Sequence, residues 1–102
     1  MVRSFPDKQS YEEYYISFNF FRLLAKGNDT IATATVGVVD AAGADKTSTL
    51  TDVAKQSVVT PRVYVWVKGG TVQRYKITCQ ITTVGGKKWE MDCYQRVVAD
   101  QT

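Results

Sequence analysis

Histidine is missing altogether from this 102-residue chain. Its absence removes the commonest general base and the commonest metal ligand, and with them every Ser–His or Cys–His catalytic arrangement. Cysteine occurs twice, as Cys79 and Cys93, too sparsely for a structural zinc site built from Cys and His ligands. No apolar run approaches the roughly 20 residues of a membrane span. The opening MVRSFP lacks the apolar h-region of a secretory signal. The expectation is a chain made and used without export, in a reducing compartment where two cysteines stay thiols. Charge of one sign is not in excess either: 13 Lys and Arg against 10 Asp and Glu leave +3. These charges are scattered rather than drawn into a basic stripe, so neither nucleic acid nor a membrane is an expected partner.

Several patterns that resemble chemistry do not hold up. Glu90 and Asp92 fall on the polar face of a strand, as a solvated pair, and nothing near them in sequence would desolvate one for acid–base work. Asp40 and Asp45 in DAAGAD do not have the spacing of a calcium loop. Each Gly-Gly pair lies between two strands, whereas a phosphate cradle needs a helix N-terminus behind it. No catalytic, cofactor-binding or metal-binding residue is assigned, and no enzymatic activity is expected.

What is present is a β pattern. Residues 63–98 read VYVWVKGGTVQRYKITCQITTVGGKKWEMDCYQRVV, three strand-like runs punctuated by two Gly-Gly pairs. In the middle run Tyr75, Ile77, Cys79 and Ile81 alternate with Lys76, Thr78, Gln80 and Thr82, the period of a half-buried antiparallel strand. Residues 63–67 carry apolar groups on both faces, which predicts a central strand or one covered by an interface. Upstream, residues 12–20 alternate around Tyr14, Ile16, Phe18 and Phe20, and residues 20–26 open a helical turn that Gly27, Asn28 and Asp29 stop. Residues 31–39 read as a strand, 40–45 as a loop and 47–51 as a short strand. Residues 52–56 are a turn or a helical turn, and 57–60 are extended, with Pro61 at a strand start or on an edge.

Three finer expectations follow. The apolar faces of the last two strands coincide only if their hairpin loop has three residues. A loop at residues 85–87 achieves this and sets Cys79 opposite, or close to, Cys93. Directly opposed strand geometry strains a bridge, which favours two buried thiols. Tyr75, just after a Gly-rich corner and two residues before an inward apolar residue, has the placement of a tyrosine corner. The domain reading is an extended N-terminal arm at 1–10 and a single β-sandwich at 11–102. The fold class is all-β: an immunoglobulin-like or fibronectin-type antiparallel sandwich of about seven strands.

Taken in order, FPDK (residues 5–8), EYYISFNF, NDTI (28–31), VYVWVKGGT (63–71), YKITCQITTVGGKKWE (75–90) and the closing RVV resemble the fiber–tail adaptor family of tailed phages. VWVKGGT and ITTVGG are the most specific of these pieces, and the likeness is thinnest over 36–59. It implies an immunoglobulin-like virion protein, made in the host cytoplasm, that binds tail, connector or fiber subunits in multiple ring-arranged copies without catalysis. Docking would use strand edges and the arm. By residue type and face, the interface candidates are Phe5, Pro6, Tyr15, Tyr64, Trp66 and Tyr94, while Trp89 belongs to the core face. Two alternatives stay open: a capsid decoration protein, and an adhesion or carbohydrate-binding module.

Overall fold

A computed structural model describes residues 3–25 and 28–99. Met1 and Val2 of the arm, Lys26 and Gly27 at the first turn, and residues 100–102 lie outside the described residues. The chain is mainly β. Its strands are β1 (Arg3–Ser4), β2 (Lys8–Gln9), β3 (Tyr14–Asn19), β4 (Ile31–Val39), β5 (Ser57–Val59), β6 (Arg62–Val67), β7 (Gln73–Thr83) and β8 (Lys88–Val98). They form two sheets. A five-stranded sheet runs β1-β8-β7-β4, with β2 also on β8, and a three-stranded sheet runs β3-β6-β5. β1 and β2 run parallel to β8, an addition to the antiparallel arrangement expected from sequence. Residues 3–9 thus lie along the last strand of their own chain.

Alternation along each strand sends one set of side chains into a shared core. The small sheet contributes Ile16, Phe18, Val63, Val65 and Val67, and the large one Val36, Val38, Tyr75, Ile77, Cys79, Ile81, Cys93 and Val97. β6 is the middle strand of its sheet, as its two-sided apolar pattern indicated. A short helix α1 (Phe21–Ala25) follows β3, and Leu24 from it joins the core. Asn19 Oδ1 accepts the Phe21 N–H at 2.9 Å, satisfying one donor that a first helical turn leaves without an intrahelical partner.

Residues 47–51 form no strand. They make a second helical turn, α2 (Thr47–Leu50). Thr has strand propensity, but here local polar bonds override it. Asp45 Oδ1 accepts from both the N–H and the hydroxyl of Thr47, and Thr51 Oγ1 donates to the Thr47 carbonyl at 2.6 Å. A 3₁₀ turn (Val53–Lys55) follows, capped by the Asp52 carboxylate. Pro61 lies in the turn between β5 and β6.

The β7–β8 hairpin differs in register from expectation. Its three-residue loop is 84–86, one position earlier than expected. Cys79 therefore faces Met91, and Cys93 faces Ile77. The shared apolar face survives because the shift in pairing is two residues. The cause is a contact from far away in the chain. Asp29 Oδ1 accepts the Gly85 N–H at 2.9 Å, and the Thr30 carbonyl accepts the Val84 N–H at 2.9 Å. Gly86, at φ +86°, supplies the left-handed residue of the turn. Both cysteines are buried thiols, and burial pushes the Cys79 thiol up to about 12.

One corner, between β6 and β7, fixes an end of the sheets. The buried Tyr75 hydroxyl accepts the Thr71 N–H at 2.9 Å, the bond back to upstream backbone that defines a tyrosine corner. Gly70 sits beneath it at φ +94°, where an added Cβ would meet Leu50 Cδ1 at 2.9 Å and Val97 Cγ2 at 3.0 Å.

Candidate functional site

The outward face of the three-stranded sheet gathers three of the sequence candidates. In the β3–β6 register Tyr15 pairs with Trp66 and Ser17 with Tyr64. The Tyr15 ring lies edge-on to Trp66 at 4.9 Å and to Tyr64 at 6.4 Å. Tyr15 is 49% exposed although it belongs to a strand. Polar contacts hold the cluster in place. Trp66 Nε1 donates to Glu13 Oε1 at 3.1 Å, and the Tyr15 hydroxyl donates to the Lys55 carbonyl at 2.8 Å. The Lys55 ammonium stands 4.2 Å from the Trp66 ring centroid, a cation–π contact. Val59, 62% exposed, extends the apolar surface on β5. The result is a fixed aromatic surface of the residue types that anchor protein interfaces.

The other candidates lie elsewhere. Tyr94 projects from the opposite sheet, half-buried beneath the Arg74 guanidinium at 3.7 Å from its ring centroid. Phe5 is half-buried with its ring edge-on to Phe18 at 5.6 Å, and its N–H donates to the Tyr94 carbonyl at 2.9 Å. Pro6 is exposed, and its carbonyl accepts from the fully buried Gln95 Nε2 at 2.8 Å. The structure therefore brings together Tyr15, Tyr64 and Trp66, and keeps Phe5, Pro6 and Tyr94 apart from them.

Sequence reasoning missed Lys8. Read as part of a polar arm, it is 0% exposed. Its ammonium donates to the carbonyls of Gly69 (2.7 Å), Gln9 (2.9 Å) and Ser10 (3.4 Å). The bond to Gly69 ties the N-terminal segment to the corner after β6. The only signal in the sequence was the position of this lysine in FPDK, which says nothing about its partner.

Asp29, which positions the hairpin loop, is held below its usual carboxylate value. The chief cause is the Thr83 hydroxyl, followed by the backbone N–H groups of Gly85 and Thr30. Glu90 accepts from Gln80 Nε2 at 2.7 Å, and Asp92 accepts from Thr78 Oγ1 at 2.8 Å, so both are engaged on the outer face of β8. Among the described residues no cluster of three or more His, Cys, Asp or Glu is placed to hold a metal ion. Among them also, no helix is long and apolar enough to cross a membrane.

No curated protein matches the chain. A family model described as "Podophage GP4 fiber-tail adaptor protein gp77" matches residues 8–95. That span covers most of the chain, and the chain belongs to this family of phage fiber–tail adaptors.

Proposed function

We propose, from this membership, that the chain is a non-enzymatic virion protein that joins a fiber to the tail of a podophage and docks through the outer aromatic face of its three-stranded sheet. The family match over residues 8–95 carries the reading. The Tyr15–Trp66–Tyr64 cluster supports the choice of face, because a rigid aromatic surface held by hydrogen bonds loses little side-chain freedom on binding. The edge of β8 over residues 88–92, which no described strand covers, offers a second place for a partner strand. The reading includes several copies arranged as a ring, an immunoglobulin-like arrangement of the two sheets, and the N-terminal segment contributing to the junction. A sugar-stacking role for the same aromatics fits less well, because the Lys55 ammonium already stands over the Trp66 ring.

The test is particle incorporation of Tyr15→Ala/Trp66→Ala, with folding checked by circular dichroism and the wild-type chain located by immunogold labelling. The expected result is label at a single vertex for wild type, and a folded variant that is not incorporated. Label spread over the whole shell, or normal incorporation of the variant, would overturn the proposal.

A further inference from the structure

On the outward side of the β7–β8 ladder the side chains complement one another rung by rung. Gln80 bonds Glu90, Thr78 bonds Asp92, and the Lys76 ammonium lies 3.7 Å from the second oxygen of Asp92. The rung at the far end breaks this pattern. There Arg74 is directly opposite Arg96, and both are exposed. Like charges opposed across a ladder destabilise it. Among the described residues neither arginine forms an ion pair.

The two guanidiniums border a recess of about 500 Å³ that Phe5, Val72 and Tyr94 also line. Val72 is 67% exposed. Arg74 stacks over the Tyr94 ring, and stacking uses the flat face of a guanidinium while leaving its rim of N–H donors available. That rim matches the paired oxygens of a carboxylate. We propose that this recess docks an acidic segment of a protein partner, with Arg74 and Arg96 receiving its carboxylates and Val72 and Phe5 receiving an adjoining apolar side chain.

The surroundings favour a short acidic segment over a polyanion. Asp7 lines the same recess, and farther along the same outward face, beyond the Lys76–Tyr94 rung, β8 carries Asp92 and Glu90. A nucleic-acid backbone running along this face would meet all three carboxylates, whereas one or two side-chain carboxylates held at the arginines would have only Asp7 nearby. That the partner is another virion protein rests on the function proposed above; the chemistry of the recess does not.

The isotope-labelled chain is titrated with a blocked Glu-Leu-Glu peptide, with blocked Gln-Leu-Gln and a short oligothymidylate as the other arms. The acidic peptide is expected to shift the Arg74 and Arg96 side-chain N–H signals and the Val72 amide. Its affinity should fall about tenfold in Arg74→Ala/Arg96→Ala, as loss of a charge-assisted contact implies. Arg96→Gln alone leaves the Arg74–Tyr94 stack in place and should also weaken binding, so the test does not depend on one variant folding. No shift at either arginine, equal binding of the Gln peptide, or tighter binding of oligothymidylate at the same signals would overturn the proposal. A wild-type chain that never enters particles would sink the fiber–tail reading and leave the titration standing. A flat titration with normal incorporation would sink the recess alone.

Discussion

Lys8→Met measures how firmly the N-terminal segment is held, and two opposed effects decide its sign. An ammonium withdrawn from water costs several kcal/mol even after relaxation, and Met carries no such cost. On the other side, the three carbonyls that the ammonium bonds are main-chain groups and stay where they are. Replacing a buried ion pair by apolar residues is often harmless because both charged partners go; here only one partner goes. The contact to Ser10 at 3.4 Å is weak by distance, and the Gln9 and Ser10 carbonyls belong to half-buried residues that water can reach. The bond to Gly69 at 2.7 Å is the strong one, and a hydrogen bond to a charged group contributes about 1.5–3 kcal/mol. That contribution is already net of the exchange with water, and the Met side chain roughly replaces the apolar stem of Lys, so a net loss of about 2–3 kcal/mol is expected. At about 4–8 °C per kcal/mol for a domain of this size, Tm should fall by roughly 10–20 °C. Thermal and urea unfolding followed by circular dichroism would measure it. Amide exchange at Phe5, whose N–H bonds the Tyr94 carbonyl, should accelerate in step. An unchanged or raised Tm would refute the reasoning: desolvation would then dominate, and pairing with β8 alone would hold residues 3–9.

Three further outcomes are expected. Tyr75→Phe removes the acceptor of the Thr71 N–H and should lower stability by about 1–2 kcal/mol; an unchanged urea midpoint would show that the corner bond contributes nothing. Asp29 has a folded-state pKa below the ordinary 3.8, so its contribution is present above that value and is lost as pH falls through the lowered one. Wild type should therefore lose stability on the acid side of 3.8 more steeply than Asp29→Asn, and parallel acid-unfolding curves would contradict the anchoring role of this carboxylate. Cys79 should resist thiol reagents at mildly alkaline pH in the native state and react once the chain is unfolded, because burial disfavours its thiolate, and Cys93, also buried, should be shielded from the same reagents by packing; rapid labelling of the native chain would count against this packing.

The parts of the fold that were legible in the sequence are those set by local alternation. The expected spans 31–39 and 88–98 coincide with β4 and β8, and Trp89, Met91 and Cys93 share a side with Ile77, Cys79 and Ile81, as their pattern required. The failures have a different origin. The short strand expected at 47–51 became a helical turn through bonds among Asp45, Thr47 and Thr51 that no periodicity encodes. The hairpin loop moved one residue because Asp29, 56 positions away, holds the Gly85 N–H. That small error hid the arginine recess: with a loop at 85–87, Arg96 falls opposite Lys76, and the Arg74–Arg96 rung does not exist. The same holds for the aromatic face. Tyr15, Tyr64 and Trp66 could be chosen by residue type, but only the β3–β6 register sets Tyr15 beside Trp66 and brings Glu13 to the indole N–H.

The stretches that carry the family likeness meet one another in space. Lys8 of FPDK bonds the Gly69 carbonyl of VWVKGGT. Gly70 of the same stretch lies against Val97 of the closing RVV and against Tyr75. Asp29 and Thr30 of NDTI hold Gly85 and Val84 of ITTVGG. An added Cβ at Gly85 would come within 2.7 Å of the Asp29 carboxylate, so this junction has no room for a larger residue. The Lys8–Gly69 bond and the bonds of Asp29 and Thr30 to Gly85 and Val84 join segments far apart in sequence at a corner or a sheet end, where backbone polar groups lack ladder partners and have to be satisfied by something specific. The corner residues of these stretches are therefore explained by folding, and the choice of partner is left to side chains that project away from the corners, Tyr15, Tyr64 and Trp66 of the same stretches among them. Two such surfaces stand back to back on opposite sheets: an aromatic one on β3 and β6, and one with two opposed arginines on β7 and β8. A subunit with two chemically different outer faces is suited to contact two different neighbours, as an adaptor between a fiber and a tail must.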